Sequence, residues 1–413
     1  MSGVSELYTP APAIREVTEC RLCGNEALNV WFSLGEQPLA NALKQHPDDQ
    51  EEKYPLAVQR CMCCGLSQLT RVVSPEILYR NYAYVSGASQ SWHHHAKDLV
   101  AIVQKHYRDA KFILDIASND GTMLSYFQKV GYRVLGVDPA ENLYPAVPTE
   151  RAFWVPVVAA DVMARHGKAD VILAQNVLGH VDDPVDFLRC VRPSLNDGGV
   201  VIIEVPNLMN LLAGNAFDTI YHEHLSYWSV TAMNRAAKKA GLEIERMDPL
   251  AIHGGSIRYW LKYSWTSTPV TSLEVHACMK LERQLGLLER GPYSKFTDRV
   301  EIVLRQLTEL LETFSREGKT IGAYGAPAKG NVLLNALKAN GAPLPRMLID
   351  DALTKQGKYA PGTGIPIVAP EGLGEMDVLM ILPWNVETDI KRRAKELGFK
   401  GKFLIPLPTP RIE

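Results

Sequence analysis

The amino-acid sequence predicts an α/β protein in three parts: a small N-terminal module, a central Rossmann-like α/β domain and a smaller C-terminal unit that is also Rossmann-like. Two observations lead to this prediction. Short apolar segments alternate with helical stretches in two separate series, and five of the seven cysteines fall within the first 64 residues. The length of 413 residues corresponds to roughly two to four domains. We place the boundaries near residues 75 and 250, which gives parts at 1–75, 76–250 and 251–413.

The composition is that of a folded globular protein, with 46% hydrophobic and 22% charged residues. Lys and Arg number 44 against 46 Asp and Glu, for a net charge of -2. Proteins that bind nucleic acids or membrane surfaces carry a basic footprint instead. Residues 1–12 lack the pattern of a secretion signal, and no uninterrupted apolar window reaches about 18 residues. We therefore expect a cytoplasmic protein without nucleic-acid or membrane partners, which can act as a monomer.

The N-terminal part has few periodic segments, which predicts a loop-rich module, and it contains two C-x-x-C turns. Each turn is followed by a glycine, at Gly24 and Gly65. Two such turns present four thiolates to one tetrahedral zinc ion, whereas a redox pair needs a single C-x-x-C beside a βαβ pattern. Four thiolates leave no open coordination position. The sequence therefore predicts a structural zinc site formed by Cys20, Cys23, Cys61 and Cys64.

The central part contains four short apolar runs, at 112–114, 134–137, 171–174 and 200–203, with helical stretches between them. Such runs are typical of buried parallel strands in βαβ units. A turn of small and polar residues follows the first run, and an aspartate ends the second. An adenosyl ligand needs these two features, close backbone approach at the first loop and a carboxylate that binds the ribose hydroxyls.

The first loop lacks the G-x-G-x-x-G pattern that holds a dinucleotide, so the sequence favours S-adenosylmethionine (SAM) over NAD, with an empty core of the same fold as the alternative. An acidic residue at the end of the first strand would suit the cationic amino group of SAM. The predicted cofactor-binding residues are Asp115, Ala117, Asn119, Gly121, Asp138 and Asn176.

Two histidine-bearing segments follow the later strands of this series. His180 comes after the run at 171–174, and Tyr221-His-Glu-His224 comes after the strand region that ends near Asn207. Ligands bind at the carboxyl ends of strands in open α/β sheets. The two histidines of the second segment are too close together for an H-E-x-x-H metal site. A general base assisted by Glu223 or Tyr221 is the better interpretation, and a hydrogen-bonded structural loop is the alternative.

Three further segments could contribute to a cleft. Tyr82-Ala-Tyr84-Val-Ser86 lies at a junction between parts, where ordinary packing would also explain it. A glycine turn at 253–255 enters a strand that is predicted to open the C-terminal part. A strand, loop and helix start at 322–331 could hold an anion such as diphosphate through helix N-terminal amides and Lys329.

Taken together, these segments resemble the sugar C-methyltransferase family that builds branched deoxysugars. The resemblance covers nearly the whole chain. It rests on the paired cysteines with Leu34–Asn41 between them, Tyr82–Gly87, Asp115–Gly121, Tyr221–His224, His253–Tyr259, Ala323–Lys329, and Asp350–Lys355 followed by Pro361–Pro366. The resemblance implies a zinc-binding module, a SAM-binding domain and a C-terminal α/β domain, with a sugar nucleotide in the cleft between the last two.

The implied reaction is methylation of C-3 in a nucleotide-linked 4-keto-deoxysugar, usually on thymidine diphosphate. The ketone acidifies the C-3 proton, so one positioned base can generate an enolate. By resemblance His224 is the base, while Tyr221, Glu223, His180 and Tyr84 polarise the ketone, stabilise the enolate or relay protons. The expected substrate-binding residues are Tyr82, Ser86, His253, Arg258, Tyr324 and Lys329. The family varies at position 222, which is histidine here, and its role stays open.

Two other functions remain as alternatives at this point. A nicotinamide-dependent nucleotide-sugar oxidoreductase could use either α/β domain, although neither candidate loop carries G-x-G-x-x-G. The second alternative is a non-catalytic binding protein that bears zinc.

Overall fold

The structure, a computed structural model, describes residues 13–264 and 271–413, with the side chain of His253 outside the described part. The N-terminal part is built on antiparallel strands, so the prediction of a loop-rich module was wrong. Bulges between Val30 and Phe32 and between Ser33 and Glu36 break the alternation that would have revealed the longest strand. The strands are β1 (Ile14–Glu16), β2 (Leu28–Pro38), β3 (Lys53–Cys61), β4 (Ser67–Leu69) and β5 (Arg71–Val73).

The central part is the predicted α/β domain, with helices packed around a seven-stranded sheet. Its helices are α1 (Pro75–Tyr79), α2 (Gln90–His106), α3 (Thr122–Lys129), α4 (Pro156–His166), α5 (Pro184–Val191), α6 (Leu208–Ala213) and α7 (Val230–Lys239). Its strands, in chain order, are β6 (Phe112–Ile116), β7 (Arg133–Val137), β8 (Thr149–Glu150), β9 (Ala169–Gln175), β10 (Leu195–Pro206), β12 (Leu242–Leu250) and β13 (Ser256–Tyr263).

The order across this sheet is β12-β13-β10-β9-β6-β7-β8. The five strands from β10 to β8 are parallel, so their carboxyl ends meet along one edge. Every residue of β6 is buried, as expected for a strand that helices cover on both faces. This arrangement explains why the strands read as continuous apolar runs in the sequence.

The sequence prediction places the strand β13 in the C-terminal part, but in the structure it belongs to the central sheet. It lies between β10 and β12 and is antiparallel to both. Gly254 and Gly255, with φ of 83° and 109°, turn the chain between β12 and β13. A boundary at residue 250 therefore cuts a hairpin of the central sheet. A glycine turn has the same local pattern whether it joins two strands of one sheet or two domains.

A two-residue strand, β11 (Ser226–Tyr227), links the central part to the N-terminal module. It pairs with β4, so the N-terminal sheet has the order β11-β4-β3-β2. Leu225 and the histidine segment before it thus leave the central domain and continue directly into the N-terminal sheet.

The C-terminal part begins with two helices, α8 (Leu273–Gln284) and α9 (Gly291–Arg316). Gly318, with φ of 69°, ends the second of them, as expected of a C-terminal glycine. A six-stranded sheet of order β16-β15-β14-β17-β18-β19 follows. Its elements are β14 (Ile321–Tyr324), α10 (Ala328–Ala339), β15 (Leu348–Ile349), β16 (Ile367–Val368), β17 (Val378–Ile381), α11 (Glu387–Glu396), β18 (Lys402–Ile405) and β19 (Arg411–Ile412).

One apolar core joins the three parts. Trp31 of β2 packs against Tyr293 of α9 with ring centroids 4.9 Å apart, and Phe32 packs against Phe296 at 5.3 Å. Phe217 of the central part lies 6.4 Å from Phe32. Each aromatic pair of this kind contributes about 0.5–1.5 kcal/mol beyond the burial of its area. In the described residues, no helix combines the length and apolarity that crossing a bilayer requires.

Candidate active site

A cavity of about 950 Å³ lies where the three parts meet. The carboxyl ends of β6, β7, β9 and β10 form its floor, which is the usual position of a ligand in an open α/β sheet. Its walls come from the segments 72–86, 219–228 and 327–329. Residues that are far apart in the sequence therefore surround one space.

The loop after β6 approaches this cavity with its backbone in an unusual conformation. Ala117, Asn119 and Gly121 have φ of 62°, 53° and 75°. A Cβ atom on Gly121 would lie 2.6 Å from a methyl group of Val147, so a larger residue here would force a neighbour to shift and would also be strained by the positive φ. The first two residues line the cavity, and Gly121 sets the start of α3 behind them.

The two predicted carboxylates stand at neighbouring strand ends and line the cavity. Asp138 accepts hydrogen bonds from the backbone amides of Asn119, at 2.8 Å, and Ala140, at 2.9 Å, which fix its orientation. Asp115 is buried. Its pKa lies well above the usual range because of burial and the nearby negative charges of Asp138 and Glu204. A bound cation would favour the ionised form of Asp115, which fits the amino group of SAM.

The end of β9 supplies polar atoms that lack a partner. Gln175 Oε1 and Asn176 Oδ1 are buried without a hydrogen bond from any described residue. Asn176 lines the cavity and has a φ of 54°. Buried acceptors in this state are costly unless a ligand or solvent donates to them. The loop, the two carboxylates and these amides together fit a SAM molecule.

The segment 82–86 covers the cofactor side of the cavity. The backbone amide of Ser86 donates to Asn119 Oδ1 at 2.9 Å, and Asn119 Nδ2 donates to the carbonyl oxygen of Tyr84 at 3.0 Å. Tyr82, Tyr84 and Ser86 all line the cavity. The loop predicted to bind the cofactor therefore also holds the segment predicted to bind the substrate.

Three rings form a cluster in the opposite wall. The Tyr221 and His224 ring centroids lie 4.0 Å apart, and those of His180 and His224 lie 4.9 Å apart. His224 Nδ1 is 2.7 Å from the carbonyl oxygen of Thr219. Because a carbonyl only accepts, Nδ1 carries the proton in neutral His224 and Nε2 is the basic nitrogen.

His180 is held by a tyrosine that the sequence analysis did not single out. The Tyr79 hydroxyl donates its proton to the carbonyl oxygen of Glu223 at 3.0 Å and lies 3.2 Å from His180 Nδ1. His180 Nδ1 is therefore the donor in its bond to that hydroxyl. Burial lowers the pKa of His180 well below its usual value, and His224 adds to the effect. His180 is consequently neutral at physiological pH.

The other two members of the Tyr221–His224 segment face the N-terminal module. Glu223 Oε1 accepts a hydrogen bond from Asn41 Nδ2 at 2.7 Å. Burial raises the pKa of Glu223 to about 7, against the opposing effect of that bond. His222 packs against Tyr54, where burial lowers its pKa to about 4. Neither side chain is part of the described cavity lining, so His222 does not compete with His224 for a ligand there.

The buried carboxyl of Glu223 makes stability depend on pH. Its pKa rises from 4.5 to about 7 on folding, so the folded state favours the neutral form and loses stability as pH rises between these values. We expect the stability of Glu223→Gln, measured relative to wild type, to rise by about 3 kcal/mol from about pH 5 to about pH 8. Chemical unfolding at both pH values measures this difference. The exposed Glu312→Gln is the control, and equal pH slopes for wild type and Glu223→Gln would contradict the assignment.

The C-terminal wall of the cavity carries a buried lysine. Lys329, at the start of α10, donates to Asn385 Oδ1 and lies 4.6 Å from the centroid of the Trp384 ring. Burial lowers the pKa of Lys329 to about 8, and the nearby Asp218 opposes that shift. Trp384 Nε1 donates to Asp218 Oδ2 at 2.6 Å, and burial raises the pKa of Asp218 to about 6.

Two residues expected to bind the substrate lie outside this cavity. Arg258, only 3% exposed, forms an ion pair with Glu204 at 2.6 Å, and Glu204 also bonds His95 at 2.7 Å. The Tyr324 hydroxyl donates to Asp351 on the C-terminal sheet. The expectation that these two side chains reach the substrate in this cavity therefore does not match their positions. The side chain of His253, which was also expected to bind the substrate, falls outside the described residues.

Sequence analysis gave no role to Tyr79, Asn41 or Thr219, although each holds a member of the histidine segments in place. Asn41 lies within a segment that carries the resemblance, whereas Tyr79 and Thr219 lie outside the segments predicted to form the site. Their partners lie far away in the chain, so no local spacing pattern could have indicated the contacts.

The four predicted cysteines converge away from this cavity. Their sulfur atoms all lie within 4.8 Å of one another, with Cys20 and Cys64 at 3.4 Å. The hydrogen bond between Cys20 and Cys64 lowers the pKa of Cys20 and raises that of Cys64, so the two thiols titrate as a coupled pair. Four converging thiolates fit a tetrahedral structural zinc ion. Cys63 is exposed and lies outside the cluster.

The sheet, its cofactor loop and the zinc module define a class of protein, the SAM-dependent methyltransferases, here with an added metal-binding domain. Family models agree with each part. A methyltransferase domain matches residues 91–246, a zinc binding domain matches 20–79, and a C-methyltransferase C-terminal domain matches 251–408.

The chain belongs to the C-methyltransferase family. It is 34% identical to C-methyltransferase NovU from Streptomyces niveus in an alignment 411 residues long that covers 97% of each chain. A shorter similarity joins it to the ubiquinone biosynthesis O-methyltransferase of Caulobacter sp. (strain K31), at 29% identity over 28% of this chain and 48% of that protein. Among solved structures, the PH0226 protein from Pyrococcus horikoshii OT3 is similar over 44% of this chain and 95% of its own, with 15% identity and a TM-score of 0.34.

Proposed function

We propose that this C-methyltransferase transfers the methyl group of SAM to C-3 of a nucleotide-linked 4-keto-deoxysugar, on thymidine diphosphate as the resemblance implies. One observation carries the proposal. His224, held by Thr219 so that Nε2 is its basic atom, lines the same cavity as the loop and carboxylates that fit SAM. A saturated carbon next to a ketone becomes a nucleophile when it loses a proton, so a base in this position suits C-methylation beside a ketone.

The proposed reaction starts with proton abstraction. His224 Nε2 takes the C-3 proton, and the electron pair moves into the C-4 carbonyl to give an enolate. Bound SAM supplies an electrophilic methyl group. The enolate carbon would then form the new C–C bond as the methyl–sulfur bond breaks and S-adenosylhomocysteine leaves, which restores the C-4 ketone. The proton on His224 passes to solvent.

The neighbouring groups are suited to support this step. Burial and the charge of Glu223 hold the pKa of Tyr221 well above its usual value, so its hydroxyl stays protonated and can donate to the enolate oxygen. An oriented donor at a developing oxyanion contributes about 3–4 kcal/mol. His180 stays neutral, so it does not repel the imidazolium that forms on His224 at 4.9 Å. Tyr84, which lines the cavity, stays a proposed partner in polarising the ketone, whereas Glu223, outside the described lining, stays a proposed member of a proton relay.

The diphosphate of the substrate would bind at the wall formed by Lys329 and the N-terminus of α10, where positive charge and free backbone amides coincide. We expect Lys329→Met to raise KM for the sugar nucleotide roughly 10- to 100-fold, the effect of losing a charge-assisted hydrogen bond. SAM affinity should be unchanged. Lys338→Met, near the other end of α10, is the matched control. Steady-state kinetics with both variants measures the effect, and an unchanged KM for Lys329→Met would contradict this position.

A panel of nucleotide-linked sugars tests the substrate class. With SAM, 4-keto sugars should gain the mass of one methylene, whereas the matching 4-hydroxy sugars should not react because they cannot form an enolate. Equal methylation of both kinds would exclude the enolate route. Methylation of ketosugars without a nucleotide at comparable KM would exclude the nucleotide linkage.

A further inference from the structure

A buried arginine lies inside the first zinc-binding turn. Arg21 sits between Cys20 and Cys23, and its side chain is only 4% exposed in spite of its charge. Its backbone amide donates to Gln68 Oε1 at 3.0 Å, which ties the turn to β4. Burying a charged side chain is costly unless other groups satisfy it. Arg21 Nη2 has no hydrogen-bond partner among the described residues, so the partners of Nε and Nη1 indicate what the side chain does.

Those partners belong to the two histidine segments. Arg21 Nη1 donates to the carbonyl oxygen of Leu225 at 3.2 Å, one residue after His224. Arg21 Nε donates to Asp182 Oδ1 at 3.2 Å, two residues after His180. One side chain therefore bridges the segments that carry both imidazoles, which approach to 4.9 Å in the cavity.

The guanidinium group is suited to such a bridge. It is planar and rigid, and its donors have fixed directions, so two acceptors bound to it are also fixed relative to each other. The carbonyl oxygen of Leu225 also accepts from the backbone amide of Leu69 at 3.0 Å, next to the β4–β11 pairing. The histidine segment is thus attached to the N-terminal module at two adjacent points.

A second arginine provides a natural comparison. Arg15 also pairs with Asp182, at 2.6 Å, but its side chain is 49% exposed. Its described side-chain bonds do not reach Leu225. Exposed ion pairs contribute little, typically about 0–1 kcal/mol. The two arginines share one carboxylate and differ in the contact to the His224 segment.

We propose that Arg21 is a positioning residue that sets the placement of His224 relative to His180, so that the zinc-binding turn forms part of the frame of the active site. This inference rests on the proposed function, because it takes His224 as the base. Arg21 is not among the described residues that line the cavity. Its effect should therefore fall on the chemical step and leave both binding steps unchanged.

The test uses Arg21→Met, Arg21→Lys and Arg15→Met in the full-length protein loaded with zinc. For Arg21→Met we expect kcat and the rate of C-3 proton exchange to fall about 10- to 100-fold, since a base displaced by about 1 Å can lose that much. The zinc content should match wild type, because all four thiolates remain. KM for the sugar nucleotide and Kd for SAM should match wild type as well. Arg21→Lys keeps the charge beside Asp182 but cannot donate in the same fixed geometry, so we expect an intermediate loss of kcat. Arg15→Met should behave as wild type.

The outcomes separate this inference from the proposed function. Wild-type kcat in zinc-loaded Arg21→Met or Arg21→Lys would overturn the inference, as would an equal loss in Arg15→Met. If Arg21→Met does not retain zinc, the comparison of Arg21→Lys with Arg15→Met decides. Undiminished proton exchange in His224→Ala would instead defeat the proposed function. An inactive His224→Ala beside fully active Arg21 variants would defeat this inference alone.

Discussion

His224→Ala is expected to lower both methyl transfer and exchange of the C-3 proton with solvent by roughly 10²- to 10⁴-fold, the usual contribution of a positioned general base. His224 is the histidine of the Tyr221–His224 segment that lines the cavity, with Nδ1 bonded to Thr219 and Nε2 left as its basic atom. The affinity for SAM should be retained, because the cofactor loop and Asp138 are held in place by their own hydrogen bonds.

Exchange of the C-3 proton, followed by NMR in deuterated buffer, measures this effect without the methyl-transfer step. His222→Gln is the matched control, since this neighbouring histidine faces Tyr54 and is not part of the described cavity lining. It should keep most of the exchange activity. Exchange at the wild-type rate in His224→Ala would mean that another group is the base.

The combined substitution Cys20→Ser and Cys61→Ser should abolish zinc binding and, with it, activity. The four sulfurs lie within 4.8 Å of one another, and the substitution leaves only one cluster thiolate in each turn, Cys23 and Cys64. Structural zinc sites bind with apparent free energies of about 10–16 kcal/mol in small domains, much of which is folding free energy. We therefore expect local unfolding of the N-terminal module and a marked fall in Tm.

Activity should be lost together with the metal because the module holds the histidine segment through β4, β11 and Arg21. Elemental analysis should find about one zinc ion per wild-type chain and almost none in the double variant. The exposed Cys63→Ser, in the same turn but outside the cluster, should retain the metal. Zinc that persists in the double variant would contradict the assignment of the four ligands.

The parts of the structure that depend on local sequence could be predicted. Asp115 and Asp138 follow recognisable apolar runs, and parallel strands bring their carboxyl ends to one edge. The paired C-x-x-C turns indicate their metal by spacing alone. These features need no knowledge of which strand pairs with which, and the structure brings each set together.

The parts that depend on tertiary pairing could not be predicted. The strand β13 gives no local sign that it inserts between β10 and β12, and β11 is too short to be recognised as a strand. Arg258 stood out by its charge, yet Glu204 neutralises it within the sheet. Arg21 carries the same charge and was given no role, because its partners Asp182 and Leu225 come from distant segments.

The fate of a deuterium atom at C-3 tests the central claim most directly. The substrate is a nucleotide-linked 4-keto-deoxysugar deuterated at that carbon, incubated with SAM and the wild-type enzyme and analysed by mass spectrometry at early times. C-3 methylation through an enolate predicts a product that has gained one methyl group and lost the deuterium. A methylated product that retains the deuterium would place the new methyl group on an oxygen or on another carbon, and would contradict the proposed reaction.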